Sequence, residues 1–310
     1  MFYNTENLFD CEHDEGKNDH EFLPSSERKW TPYRYNQKLT HIAKIITAVG
    51  EWNTPALVGL CEVENDKVMT DLTTRSPLKN QNYRYVMTNS PDERGIDVAL
   101  LYQRDLFKLL STHSIRIRFR NNKKTRDILH VSGKVQSGDT LDVFVCHFPS
   151  RSGGEKNSEG TRNFVATVLK HSVDSVMSFR SKPNILIMGD FNDCPDNASL
   201  YHVLKAREPS KPFNQESLYN LFYKYIKTKQ GSYKYKGTWN MLDQIIVSGR
   251  LLDQNNRLHV KENSGKIFSG DFLMEEDPSG TGKRPFRTYA GTIYKGGYSD
   301  HLPVFVDICY

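Results

Sequence analysis

The sequence predicts an α/β fold in which two packed sheets carry helices on their outer faces. Three observations predict it. Short apolar runs end in acidic or amide residues, as in PALVGLCEVEN (55–65) and NILIMGDFND (184–193). Stretches with helical periodicity alternate with these runs along the chain. No Pro/Gly/Ser-rich linker interrupts the pattern, so residues 1–310 read as one domain. Several strands are apolar on both faces and need cover on both sides. Two sheets back to back with helices outside provide that cover.

Taken in order, a short apolar segment leads into the polar residues Asn4 to Asn7. Residues 11–35 are dense in Asp, Glu, His and Lys and read as a long, solvated surface loop. A second metal site among His13, Asp14, Asp19, His20 and Glu21 is conceivable there. Trp30, Tyr33 and Tyr35 either line a groove or dock the loop. Between Tyr35 and Val49, residues Leu39, Ile42, Ile45, Ile46 and Val49 fall on one face of a helix. Residues 55–65 form a buried strand that delivers acids at its tip. YRYVM (83–87) and IDVALLY (96–102) look like neighbouring strands. ILHVSGKVQSGDTLDVFVCHF holds two alternating runs around SGD, a hairpin signal. Ser158 to Phe179 forms a helix with Phe164, Val165, Val168, Leu169, Val173 and Val176 on its apolar side. NASLYHVLKA reads as a further helix, capped by Asn197 or Ser199. The remainder is strand and loop through MLDQIIVSG to HLPVFVDI.

Composition excludes several classes. No run of about 18 apolar residues exists, so no segment can cross a bilayer as a helix. The net charge of +5 mildly favours an anionic partner, and no basic tail is present. The cysteines are odd in number and widely spaced, with no C-x-x-C, which argues against a disulfide scaffold or a cysteine zinc site. The opening residues MFYNTENLFD have no basic stretch and no cleavage site, so no signal peptide is visible and the compartment stays open. The chain opens almost directly on a motif, which points to upstream residues having been removed.

Five polar clusters sit at the ends of apolar strands. They are Asn4 and Asn7, Glu62, His147, Asp190 with Asn192, and Asp243 with Asp300 and His301. Each alone has a bland reading as a turn residue or solvated acid. Together they fall where open α/β sheets place ligands. Oxygen donors in this number suit a hard cation, Mg²⁺ first and Mn²⁺ second. Asp beside His is the composition of an oriented acid–base pair. The chemistry they suggest is metal-assisted hydrolysis of a phosphate ester.

The ordered set YNTEN, LCEVEN, RGIDVALLY, HFPSR, GDFND, LDQI and SDHLPV resembles the endonuclease/exonuclease/phosphatase superfamily, relatives of deoxyribonuclease I and exonuclease III. The resemblance runs from residue 3 to residue 305. It implies a four-layer α/β/β/α sandwich with the site along one edge. It implies Glu62 as the metal ligand, with Asn4 and Asp300 supporting metal or phosphate. It casts Asp190, Asn192, Asp243 and His301 as catalytic, with Asp243 orienting His301. Whether Asp190 or His301 takes the proton is left open. His147 resembles the strand-end histidine of the deoxyribonuclease I and phosphatase-like branches. Asn7 either assists the site or caps a turn. Asp97 either pairs with a partner such as His147 or faces solvent on an edge strand. Arg151 and Arg162 are candidate substrate-phosphate clamps, with ordinary salt bridging as the plainer reading.

The first functional expectation is a Mg²⁺-dependent phosphodiesterase cutting nucleic acid. The second is the same chemistry on a small or lipid phosphate, and the third a non-catalytic binding protein. No protein partner is implied, and a monomer is expected.

Overall fold

The computed structural model describes residues 1–310. The first sheet holds β1 (Phe2–Leu8), β2 (Leu57–Val63), β3 (Tyr83–Met87) and β4 (Asp97–Gln103). Its order is Lys266–Ile267, Val304–Phe305, β1, β2, β4, β3. The second sheet holds β5 (Phe107–Ile115), β6 (Ile128–Val135), β7 (Thr140–His147), β8 (Ile185–Asp190), β9 (Ala206–Arg207) and β10 (Leu218–Asn220). A small hairpin, β11 (Tyr233–Tyr235) and β12 (Thr238–Asn240), precedes its last strand, β13 (Asp243–Ser248). The order in this sheet is β5-β6-β7-β8-β13-β10-β9.

The layers follow from which side chains alternate to which face. In β2, Leu57 and Cys61 join Val98 and Leu100 of β4 against Val143, Val145, Leu186 and Met188, forming the seam between the sheets. Val58 and Leu60 point the other way, onto α1 (Pro32–Gly50) through Leu39, Ile42 and Ile46. On the far side, Phe144, Ile185 and Ile187 meet Val165, Leu169, Val173 and Val176 of α2 (Glu155–Phe179). The result is helix, sheet, sheet, helix, as the sequence predicts. The 128–147 segment forms the expected hairpin, and β3 and β4 pair as antiparallel neighbours. No helix is long and apolar enough to cross a membrane.

Gly189, just before Asp190, marks a tight crossing. A Cβ there would lie 2.5 Å from the Cys146 carbonyl oxygen of β7. That obstacle is backbone of a parallel neighbour and cannot swing aside. Gly189→Ala should therefore destabilise the chain by about 1–3 kcal/mol, the usual cost of overpacking. Thermal unfolding checks this, and an unchanged Tm would contradict the close approach.

Four sequence expectations are corrected. Asp243 starts its strand rather than ending one. It still reaches the site edge because β13 runs antiparallel to β8, with Asp243 directly opposite Asp190. The helix expected at NASLYHVLKA is one π-helical turn, Ser199–Val203, without a side-chain cap. The Asn197 side chain is taken by the Cys194 backbone N–H (2.6 Å) and Arg151 (3.0 Å). In α2, Phe164 is 38% exposed and lies tilted against Phe119 instead of entering the core. Finally, the 11–35 segment lies largely at the surface, as expected, but is pinned by buried side chains rather than loose. Phe22 and Trp30 are buried, with the Trp30 indole N–H donating to the Phe9 carbonyl at 2.9 Å. Tyr35 also docks, bonding Asp71 at 2.9 Å, while Tyr33 stays exposed.

Candidate active site at the sheet edge

The site forms where strands of both sheets end or begin on one edge. The first sheet contributes Asn4 and Glu62, and the second His147, Asp190 and Asp243. Asn4 Nδ2 donates to Asp190 Oδ2 at 3.0 Å and stitches the two sheets together. The same Asp190 oxygen lies 3.8 Å from His147 Nε2 and 3.9 Å from His301 Nε2. His301 Nδ1 meets Asp243 Oδ2 at 2.6 Å.

Local backbone aims these groups. In β2 the alternation of faces breaks after Cys61, because Val63 turns to the helix side along with Leu60. Glu62 sits in that bulge with φ 59°. Asn192 (φ 50°) and Asn7 (φ 65°) are likewise left-handed. Such conformations cost roughly 1–3 kcal/mol each and gather where geometry must be fixed. Asn192 is held on three sides: its N–H donates to Asp190 Oδ1 (2.9 Å), its Nδ2 to the Phe148 carbonyl (3.1 Å), and its own carbonyl accepts from Arg151 Nε (2.7 Å).

Burial and charge push the two histidines apart. For His301, burial alone would disfavour the charged ring. The charges of Asp243 and Asp190 and the Asp243 hydrogen bond outweigh it and hold the ring well above its ordinary range. For His147, burial and then the Arg126 and Arg94 guanidiniums drive it well below. Its Nδ1 is buried without a partner. Burial also raises the Asp190 carboxyl, Asp243 adding to the rise and His301 opposing it. A cationic ring, a neutral ring and an easily protonated carboxylate thus share one small space. Separated acid and base character of this kind is typical of catalytic sites.

The Glu62 carboxylate fits a metal. Its side chain is only 13% exposed, yet it accepts no hydrogen bond; Arg94 Nη2 stands 3.8 Å away and the neutral His147 Nε2 3.9 Å away. A nearly buried carboxylate without donors is costly unless a cation faces it. Asn4 Oδ1 already accepts from the Glu6 N–H at 2.9 Å, and Asp300 Oδ2 pairs with Arg287 at 3.2 Å. Asp300 Oδ1 lies 3.9 Å from His301 Nε2.

The outlying expectations change. Asp97 lies on β4, between β2 and β3 rather than on an edge, and is buried. Its partners are Thr88 Oγ1 (2.5 Å) and the Ser90 N–H (2.9 Å), not His147. Arg162 is fully buried within 2.8 Å of Asp193 and cannot reach a substrate. Arg151 holds Asn192 and Asn197 and so positions the GDFN loop. The Asn7 side chain accepts from Arg94.

Three contributors escaped the sequence reading. Ser232 Oγ donates to Asp243 Oδ2 at 2.5 Å and accepts from the Asp243 N–H at 3.0 Å. The Tyr233 ring lies 4.8 Å from the His301 ring. Arg94 reaches both Asn7 and Glu62. The only sequence signal among these was the Arg-Gly preceding the strand in RGIDVALLY.

Fold and site together define the class: a two-sheet sandwich carrying an acid–histidine cluster on one edge. A family model described as the Endonuclease/Exonuclease/phosphatase family matches residues 1–309, and the chain belongs to that family. Among solved structures, the human Nocturnin catalytic domain is 20% identical, covering 88% of this chain and 86% of that one, with TM-score 0.57. A family protein from Bacteroides vulgatus is 14% identical over 99% and 96% (TM-score 0.60). The mannosyl-6-phosphatase Bt3783 of Bacteroides thetaiotaomicron is 15% identical over 100% and 98% (TM-score 0.57). These likenesses show the fold. A search of curated proteins gave no match.

Proposed function

We propose that this chain is a Mg²⁺-dependent phosphodiesterase acting on nucleic acid. The observation that carries the chemistry is the convergence of His147, His301 and Asn4 on one oxygen of Asp190, beside the donor-free carboxylate of Glu62. Glu62 would hold the metal, with Asn4 beside it; Asp300 is drawn instead towards Arg287. When bound there, the metal supplies charge neutralisation for the phosphate and the leaving oxygen. Asp190, raised towards neutrality, is the group suited to take a proton from the attacking water. His301, held cationic by Asp243, is suited to stabilise the charge that builds on the phosphoryl oxygens. Asn192 fixes Asp190 through its backbone N–H, and His147 presents Nε2 to the same space.

The substrate class rests on a cavity of about 330 Å³ that borders the site. Arg94, Lys123, Lys124 and Arg126 line it with Asp92, Glu93, Ser150 and Ser152; Arg126 is paired with Asp92, basic side chains outnumber acidic ones by four to two, and no hydrophobic residue contributes. A polyanionic backbone suits such a lining better than a lipid tail. The test is nicking of supercoiled plasmid with Mg²⁺ and with EDTA. Metal-dependent nicking supports the reading. Intact plasmid at high enzyme concentration would overturn the nucleic-acid substrate and move the search to phosphomonoesters, inositol phosphates and lipid headgroups. Glu62→Gln should shift the Mg²⁺ activation curve to higher concentration, and an unchanged titration would remove Glu62 from the metal site.

A further inference from the structure

We propose that His13, Asp19 and His20 form a second, separate metal site, suited to a first-row divalent cation such as Zn²⁺, that braces the loop carrying Arg94. Each of the three offers a ligand atom, and these atoms lie within 4.8 Å of one another. A zinc ion with ligands at its usual distances of about 2.0–2.2 Å holds its donors roughly 3.3–3.6 Å apart, so binding replaces the 2.5 Å hydrogen bond between His13 Nδ1 and Asp19 Oδ1 and draws the His20 ring in. Both histidines are exposed, so rotation and metal entry are unobstructed, while Asp19 is buried and fixed.

Asp19 is oriented for the task. Its Oδ2 accepts the Asp14 N–H at 2.8 Å, and its Oδ1 faces His13 Nδ1 at 2.5 Å. The two imidazoles stack with centroids 4.3 Å apart. Of the two rings only His13 Nδ1 has a protein partner. Asp14 and Glu15 on the same segment form no ion pair with a basic side chain and add negative potential, whereas Asp10 and Glu12 are paired with Lys67 and Glu21 with Arg28. Neither nearby lysine contacts the three ligands, since Lys67 pairs with Asp10 and Glu12 and Lys17 donates to the Ser90 and Asp92 carbonyls. Two nitrogens and one carboxylate with an open fourth position is a donor set for zinc rather than for Mg²⁺, which keeps the site chemically distinct from Glu62.

Its consequence for the fold is local. The Asn18 N–H donates to the Glu93 carbonyl at 2.7 Å, so residues 17–18 clamp the 90–93 turn. Arg94, next in the chain, contacts Asn7 and Glu62. A cation joining residues 13 and 20 closes the loop whose middle holds that turn.

Zn²⁺ titration by calorimetry into wild type and the His13→Ala/His20→Ala double variant, both in excess Mg²⁺, tests the proposal. Circular dichroism confirms that the variant is folded. Wild type should bind one Zn²⁺ per chain. The double variant should bind it at least about tenfold more weakly, as even loss of an outer partner costs a zinc site that much. Hydrogen exchange should slow on Zn²⁺ addition across residues 13–20 and 90–95 in wild type only. No stoichiometric binding to wild type, or equal affinity in the double variant, overturns the proposal. Neither readout depends on phosphoesterase activity.

Discussion

His301→Ala should lower turnover by about 10²–10³, the usual worth of one positioned group that stabilises transition-state charge, with the fold intact. The ring lies between Asp243 at 2.6 Å and Asp190 at 3.9 Å, and Tyr233 covers it. Plasmid nicking or hydrolysis of a chromogenic phosphodiester measures the loss, with circular dichroism as the control. Near-wild-type activity would remove His301 from the chemistry. Asp243→Asn carries the argument one step further. The Asp243 charge is the leading influence that raises His301, so its removal lowers the imidazole pKa. The cationic ring is then lost at a lower pH. The alkaline limb of the pH–rate profile should move down in pH along with the fall in rate. An unmoved limb would mean that the cationic ring is not the working form.

Arg162→Leu should cost about 3–5 kcal/mol of stability, the range for breaking a buried ion pair from one side. At about 2–4 °C per kcal/mol for a chain somewhat smaller than this one, that is a fall in Tm on the order of 10 °C. The Arg162 guanidinium is fully buried. Its Nε approaches Asp193 Oδ1 at 2.8 Å but off the hydrogen-bond line, so their attraction is chiefly charge with charge. Its hydrogen bonds go to Ser158 Oγ (2.6 Å) and the Glu155 carbonyl (2.9 Å). Burial already raises the Asp193 carboxyl, which the Ser199 hydroxyl and Arg162 partly offset. Without Arg162 its folded pKa rises further above the unfolded value. Stability contributed by a raised carboxyl is present at low pH and lost as pH rises towards the folded pKa. The deficit should therefore be smaller at pH 5 than at pH 7. A substrate clamp would behave differently, raising KM while leaving Tm unchanged at both pH values.

What the sequence made legible was what lies close together in the chain. GDFND places Asp190 and Asn192 on one strand tip, and SDH places Asp300 and His301 side by side, so their order alone carried the expectation. Periodicity also held a signal about Arg162. It falls on the same helical stripe as Val165, Ala166, Leu169, Val173 and Val176, and an arginine on an apolar stripe requires a buried partner. Asp193, two residues beyond the GDF triplet, was a visible candidate for that partner. The Ser232 and Tyr233 contacts had no such signal. They come from a segment without pattern, and the link from Tyr233 to His301 spans 68 residues and exists only once the sheet edge is assembled. The Glu62 bulge was hidden for another reason. Residues 57–61 (LVGLC) carry no polar side chain that marks a face, so a reset of face by one residue at Glu62 leaves no trace in residue type. Asp97 misled for the same reason, since hydroxyl and backbone donors from Thr88 and Ser90 cannot be foreseen from spacing.

The bond from Asn4 to Asp190 has a wider meaning for where mutations are felt. Asn4 and Glu62 ride on one sheet, while His147, Asp190 and Asp243 ride on the other, and the two slabs meet only through their shared apolar seam and a few edge contacts. Their relative sliding is set deep in the molecule, where Gly59 leaves room for Met188 and Phe2. A side chain one methylene too large at that depth shifts one slab against the other and pulls the reacting groups out of register. The spacing of the five edge residues thus depends on side chains far from them, and the interior of this protein is a gauge block for its own edge.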